Sequence, residues 1–215
     1  MSGAERTGEV ELRRGMAAMG MDDAIAPALL AYRDLLARWN RVYNLSAVRD
    51  PAEMVPRHLL DSLSVLPWLP PGALLDVGTG PGLPGIPIAL AQPDRSVTLL
   101  ETNGKKVRFI RQACLELGLD NVVIAPGRLE SFTATEPFEA IICRAFTDAA
   151  GFWHGVARLL APGGEALAMK GRRETEELAA LAQAGVSCQW QTLVVPGLDA
   201  ERHLLIMRAQ KPATG

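Results

Sequence analysis

The stretch Leu74-Leu75-Asp76-Val77-Gly78-Thr79-Gly80-Pro81-Gly82-Leu83-Pro84-Gly85 constrains this chain more than any other. A short apolar run ends in an acid, breaks into closely spaced glycines and enters Ile86-Pro87-Ile88-Ala89-Leu90-Ala91, which reads as a helix. Glycines at alternate positions strip the turn of Cβ atoms, so the backbone can take positive φ and a ligand can approach the main chain. Three ligands compete for such a loop. A nucleotide phosphate calls for Gly-Lys-Ser/Thr at the loop's end, and no lysine occurs between Leu74 and Gln92. A dinucleotide fits the literal G-x-G-x-x-G of Gly80, Gly82 and Gly85, with Glu101 close to the expected spacing of about 20 residues further on. S-adenosylmethionine fits better. Its loops have an acid at the end of the first strand, where Asp76 stands before Gly78-x-Gly80-x-Gly82. A carboxylate there can order the loop amides or face a cationic ligand, but repels a nearby pyrophosphate.

From Leu74 onward, strand and helix patterns alternate, the signature of a parallel sheet covered on both faces. Strands are expected at Ser96 to Leu100, Asn121 to Ile124, Phe138 to Cys143 and Glu165 to Met169. Between them lie helices at Lys105 to Leu117, closed by Gly118, at Phe146 to Leu160, and at Glu174 to Ala184. Ala161-Pro162-Gly163-Gly164 reads as a turn, and Thr192 to Val195 with His203 to Arg208 as a final antiparallel pair. Ahead of this core, residues 1–8 read as frayed, Val10 to Met19 as a short helix closed by Gly20, and the stretch after Asp22-Asp23 as a longer one. Ile25, Leu29, Tyr32, Leu36, Trp39 and Tyr43 recur on one face of that helix and read as core. Asn44-Leu45-Ser46 ends it. Pro51 to Leu63 is then helical, with Arg57, His58 and Asp61 in one turn, before Pro67, Pro70 and Pro71 close the section. The expected organisation is a helical cap over 1–70 and a Rossmann-like core over 71–215, forming one compact unit. Among 215 residues, 48% are hydrophobic, enough to bury such a core. The net charge of −2 leaves any nucleic acid to be met by a local patch rather than an overall field. With no apolar leader and no span-length apolar run, the expected location is cytoplasmic, without membrane. Cys114, Cys143 and Cys188 lack paired spacing, so no metal or disulfide framework is expected.

In a parallel sheet, ligands bind at the carboxyl ends of the strands. Glu101 ends the second strand, where a carboxylate can accept both ribose hydroxyls of an adenosine. Gly127-Arg128-Leu129-Glu130 follows the third strand, Arg144 the fourth and Lys170 the fifth. Cys143 lacks the preceding proline of cytosine-C5 methyltransferases, and Cys143-Arg144-Ala145-Phe146 is not the Asn/Asp-Pro-Pro-Tyr/Phe of exocyclic-amine methyltransferases. A target needing neither device remains. Guanine N7 is one: its lone pair attacks the sulfonium methyl and no proton is lost, so alignment and water exclusion suffice. Lys105, Lys106, Arg108 and Arg111, then Lys170-Gly171-Arg172-Arg173, then Arg202-His203, gather basic charge on these edges, which favours RNA.

These motifs resemble the glucose-inhibited division protein B (RsmG) family, whose members methylate a guanine N7 in small-subunit ribosomal RNA. The similarity runs from roughly Leu35 to Arg208, through Asn44-Leu45-Ser46, His58-Leu59-Leu60-Asp61-Ser62-Leu63, the Asp76–Gly85 loop with its Leu83-Pro84-Gly85 extension, and Lys105-Lys106-Val107-Arg108-Phe109. It continues in Arg128-Leu129-Glu130, Arg144-Ala145-Phe146, Met169-Lys170-Gly171 and Glu201-Arg202-His203. Glu101-Thr102 departs from the family's usual Asp-Ser pair. The resemblance implies a class I adenosylmethionine-dependent methyltransferase with a mostly parallel seven-stranded sheet, and a monomer is expected, with small-subunit ribosomal RNA or the ribosomal particle as its partner. It places the cofactor on Gly78, Leu83, Leu129, Glu130 and Arg144, with its ribose at Glu101, and the reading of the loop itself adds Asp76 and Gly80. By the same resemblance Asn44, His58, Arg128, Arg144 and Lys170 would handle RNA or the guanine, and the basic edges add Arg57, Lys105, Lys106, Arg202 and His203; Arg144, Lys170 and His58 would position the substrate, with no general base. An NAD-linked oxidoreductase and a non-catalytic RNA-binding module stand as alternatives.

Overall fold

Caps and prolines delimit the N-terminal helices in the computed structural model, which describes residues 3–144, 148–173 and 176–210. Helix α1, Gly3–Ala18, begins well before Val10 and takes in most of the residues expected to fray. Leu12 and Met16 are fully buried along it, and the Glu9–Arg13 pair at 3.0 Å supports its outer face one turn apart. Helix α2, Ala26–Tyr43, has proline in its first turn and ends where Asn44 takes the left-handed conformation at φ 52°. Its stripe packs as core at Leu29, Tyr32 and Leu36, with Trp39 meeting Phe109 edge to face, whereas Tyr43 emerges at the surface.

The stretch expected as one helix, Pro51 to Leu63, is three pieces. They are α3, Pro51–Met54, whose first turn is capped by the Asp50 carboxylate, a π-helical segment Val55–Leu60, and α4, Asp61–Leu63. Pro56 has no N–H to give an ordinary helix, and the N–H of Asp61 reaches back five residues to the Pro56 carbonyl.

Seven strands form one sheet in the order β3-β2-β1-β4-β5-β7-β6. These are β1 Leu74–Val77, β2 Val97–Glu101, β3 Val122–Pro126, β4 Phe138–Arg144, β5 Leu160–Lys170, β6 Val186–Thr192 and β7 His203–Ala209. β1 through β5 pair in parallel, and β7 runs antiparallel to both β5 and β6. β1 and β2 are buried along their whole length, as strands covered on both faces must be. The covering helices are α5 Gly85–Ala91, α6 Gly104–Leu117, α7 Ala149–Val156 and α8 Glu176–Gln183. Phe146, Thr147, Glu174 and Thr175, placed in the last two helices by the sequence pattern, lie outside the described residues.

Two strand assignments change. β5 starts at Leu160 opposite Phe138, so the expected Ala161–Gly164 turn is an irregularity inside the strand, and the register resumes at Ala140 opposite Glu165. β6 ends at Thr192 instead of beginning there. Gln189 and Gln191 alternate with Cys188 and Trp190 along it, and this half-polar pattern hides the strand beside the more apolar Leu193-Val194-Val195. Apolar side chains of α1 and α2 share one continuous core with those of the sheet, Leu12, Tyr32 and Leu36 joining Leu74, Leu99 and Ile206.

Candidate functional site

The strand order reverses between β1 and β4, and a crevice opens at the carboxyl ends of the strands on either side of such a switch. Here it is a cavity of about 520 Å³, a size typical of small-molecule sites. One wall is the glycine loop after β1, another the Leu45–Val48 loop and the π-helical turn of the cap, and the third the ends of β4 and β5 with Arg202.

Buried acids hold the loop from behind. Asp76 is fully buried, and its Oδ2 accepts from the Thr79 hydroxyl and from the Gly85 N–H, the latter at 2.8 Å. Burial pushes its carboxyl up to about 6, even though these two bonds favour the ionised form. Asp76 does not line the cavity; of its two expected roles it fills the ordering of loop amides. Glu101 does the same one strand over, Oε2 accepting from the Gly80 N–H and Oε1 from the Asn103 N–H, both at 2.8 Å. A third hold comes from the cap, where the buried Tyr32 hydroxyl donates to the Pro81 carbonyl at 2.8 Å. Gly78 and Gly80 then sit at φ 65° and 64°, and a Cβ on Gly78 would project into open space. The bare backbone is therefore a cradle facing the cavity.

On the opposite wall, His58 Nδ1 lies 2.9 Å from the Arg57 carbonyl and Nε2 lies 2.8 Å from the Ser46 hydroxyl. The carbonyl can only accept, which assigns the proton to Nδ1 and leaves Nε2 accepting from Ser46. Burial, with Arg144 adding repulsion, lowers its pKa to about 4, so the ring is neutral at pH 7. Asn40 pins the same loop, accepting from the Ser46 N–H at 2.8 Å and donating to the Val48 carbonyl at 3.0 Å.

Of the residues singled out from the sequence, Gly78, Gly80, Leu83, Arg57, His58, Lys106, Arg144, Lys170 and Arg202 converge on this cavity. Others do not. Asn44 is the left-handed end of α2, its side-chain oxygen accepting from Arg49. Arg128, Leu129 and Glu130 stand further along the rim, after β3, and Lys105 is exposed at the start of α6. His203 is buried beneath the rim, its Nδ1 accepting from Arg173 at 3.3 Å and its Nε2 3.5 Å from Glu201. Asp61, Ser46, Thr79 and Met169 line the cavity without having been selected as site residues. For Asp61 a signal was present, an acid three residues after His58 on an otherwise apolar turn. Among the described residues, no three His, Cys, Asp or Glu are grouped to hold a metal, and no helix is long and apolar enough to cross a membrane.

A family model described as rRNA small subunit methyltransferase G (GidB) matches residues 25–205. The chain belongs to this family. Curated members include the ribosomal RNA small subunit methyltransferases G of Alkalilimnicola ehrlichii, 50% identical over 92% of this chain and 91% of that one, and of Methylococcus capsulatus, 51% identical over 90% and 95%. Among solved structures, the glycopeptide N-methyltransferase MtfA complexed with sinefungin aligns with a TM-score of 0.62 at 14% identity, covering 83% of this chain and 96% of that one. A putative O-methyltransferase from Klebsiella pneumoniae aligns at 0.58 and 14% identity over 96% and 99%. At such identities the likeness is one of fold, and the fold is the Rossmann-like one of adenosylmethionine-dependent methyltransferases. Membership of a methyltransferase family removes the ground for an oxidoreductase, which rested on Gly80, Gly82 and Gly85 and the spacing to Glu101.

Proposed function

We propose that this protein transfers a methyl group from S-adenosylmethionine to N7 of a guanine in small-subunit ribosomal RNA. Family membership supports the reaction class and the RNA. The choice of atom rests on one observation: among the described residues lining the cavity, none is suited to take a proton. His58 and Asp61 are the only imidazole and carboxylate among its described lining residues. His58 holds its proton on Nδ1 and is a poor base at Nε2, and Asp61 is occupied by two guanidiniums. A nucleophile that must be deprotonated would find no help there, whereas guanine N7 needs none.

The cradle of Gly78 and Gly80 with Leu83 would hold the cofactor, Glu101 keeping lone pairs for a ribose hydroxyl while it orders the loop. Bound adenosylmethionine supplies an electrophilic methyl on a sulfonium centre. Arg144, Lys170 and Arg202 would present N–H donors to the guanine O6 and to RNA phosphates, fixing the base in line for transfer. Arg57, Lys105, Lys106 and Arg128 would add phosphate contacts around the rim. Residues 1–70 act, in this reading, as a cap that closes the cavity over a catalytic core at 71–215.

Purified protein, labelled adenosylmethionine and small-subunit RNA or particles lacking the modification test this directly. The label should enter a guanine and make the strand cleavable after borohydride and aniline treatment, the mark of N7 methylation. Label on another atom would overturn the N7 assignment. RNA binding without any transfer would make the protein a binding module.

A further inference from the structure

Three cations stand at the ends of three neighbouring strands: Arg144 closes β4, Lys170 closes β5 and Arg202 immediately precedes β7. All three line the cavity. Adjacent strands lie about 4.8 Å apart, so β4 and β7, which flank β5, bring their arginines within about 10 Å of each other around a lysine. Left alone, the guanidiniums would repel one another and spread over several rotamers.

One carboxylate intervenes, and it comes from the cap. Asp61 Oδ1 meets Arg202 Nε at 3.0 Å, and Oδ2 meets Arg144 Nη1 at 3.5 Å. The same Nη1 of Arg144 donates to the Arg57 carbonyl at 3.4 Å, and Arg202 Nη1 donates to the Glu201 carbonyl at 2.9 Å. The Asp61 side chain is only 3% exposed, against 23% for Arg144 and 27% for Arg202. The acid is therefore almost wholly covered at the cavity wall, while the arginines beside it retain more exposed faces. We infer that Asp61 is a positioning residue, which holds Arg144 and Arg202 in the orientation that receives the RNA guanine and its phosphate.

Dependence runs both ways. Burial holds the Asp61 carboxyl above its ordinary value, and the two arginines oppose that rise without cancelling it. Asp61 bonds to no group of the Gly78–Gly85 loop among the contacts described, so its loss should spare the cofactor and harm the handling of RNA. This inference rests on the methyltransferase reading above.

The test compares wild type, Asp61→Asn, Arg202→Met and the double variant. Each is assayed for single-turnover transfer to unmodified small-subunit particles and for adenosylhomocysteine affinity by calorimetry. Asp61→Asn should lower the transfer efficiency on RNA by about 10- to 100-fold, the scale of a misplaced substrate, with adenosylhomocysteine affinity held within about threefold. The double variant should lose less than the product of the two single losses, because part of the acid's effect runs through Arg202 and the rest through Arg144. Multiplying losses, a cofactor affinity that falls in step with transfer, or an Asp61→Asn rate within about twofold of wild type would each overturn the inference. Should Asp61→Asn not fold, Arg202→Lys decides. An ammonium cannot reproduce the Nε contact together with the cavity-facing fork, so the rate should stay close to that of Arg202→Met, and full activity would overturn the role. A wild-type protein that labels no RNA would sink the underlying reading and this one with it. Labelled RNA with multiplying variant losses would sink this one alone.

Discussion

Replacing Tyr32 by Phe removes one hydroxyl and keeps the ring. That hydroxyl is buried and donates to the Pro81 carbonyl at 2.8 Å, so a helix of the cap holds the middle of the glycine loop. The ring's packing against Phe109, 6.2 Å between centroids, would persist. What is lost is the donor to a carbonyl of a buried residue, at a cost of about 1–3 kcal/mol where water cannot replace it, against about 0.5–1.5 kcal/mol where it can. Both ends are enclosed here, so the expected loss is about 2 kcal/mol, or about 4–8 °C in Tm for a chain of this length. The same bond restrains the loop between Gly80 and Gly82, and freeing it should also weaken adenosylhomocysteine binding by about three- to tenfold, the equivalent of up to about 1.4 kcal/mol. Urea melts and calorimetric titration read the two quantities separately. A stability loss under about 0.5 kcal/mol would show that the hydroxyl is not sealed from water. A full loss of stability with unchanged ligand affinity would refute the coupling of cap to loop.

Two glycines of the loop should respond in opposite ways. Gly85→Ala drives a Cβ into the Leu99 side chain and to 2.8 Å from Asp76 Oδ2, and should cost about 1–3 kcal/mol in a thermal melt. Gly78→Ala points its methyl into the open cradle at φ 65°, and should reduce adenosylhomocysteine affinity by more than its about 1–2 kcal/mol of backbone strain reduces stability. His58, with its folded pKa lowered to about 4 from the usual 6.5, stays neutral while the unfolded chain gains a proton. Its contribution is whole above about pH 6.5 and fades as the pH falls toward 4, by about 2 kcal/mol at pH 4.5. Asp76 works the other way, its raised value of about 6 costing stability as the pH climbs from 3.8 through 6, so the two must be separated by a variant. The stability gap between wild type and His58→Gln in urea melts should shrink by that amount from pH 7 to 4.5; a constant gap would contradict the buried neutral ring. Asn103→Ala removes the side-chain oxygen that accepts from the Lys105 N–H at 2.9 Å, and should destabilise α6 by about 1 kcal/mol in the same melts.

The near wall of the cavity was legible from the sequence because it is written in local terms. Alternate glycines, a strand-end acid and an apolar run each act within a dozen residues, and a parallel sheet obliges the chemistry to sit at its carboxyl edge. The same reasoning put Glu101, Arg144 and Lys170 at strand ends, where they are found. It left Asp76 between the loop amides and the ligand, and it did not foresee that Glu101 would also turn toward the loop backbone, since both depend on which amides the folded loop leaves open. The far wall follows a different logic. His58 lines the cavity because Pro56 and a π-helical turn rotate it there, beside a Ser46 fixed by Asn40 from the preceding helix. Asp61 meets Arg202 across 141 residues of sequence, a pairing that no periodicity encodes. A charge read alone at such a position is an ordinary surface charge. Its meaning comes from burial, which makes an unpaired carboxylate costly and so ties the cap to the strand ends through whichever cations can reach it. That cost couples closing of the cavity to placement of its arginines.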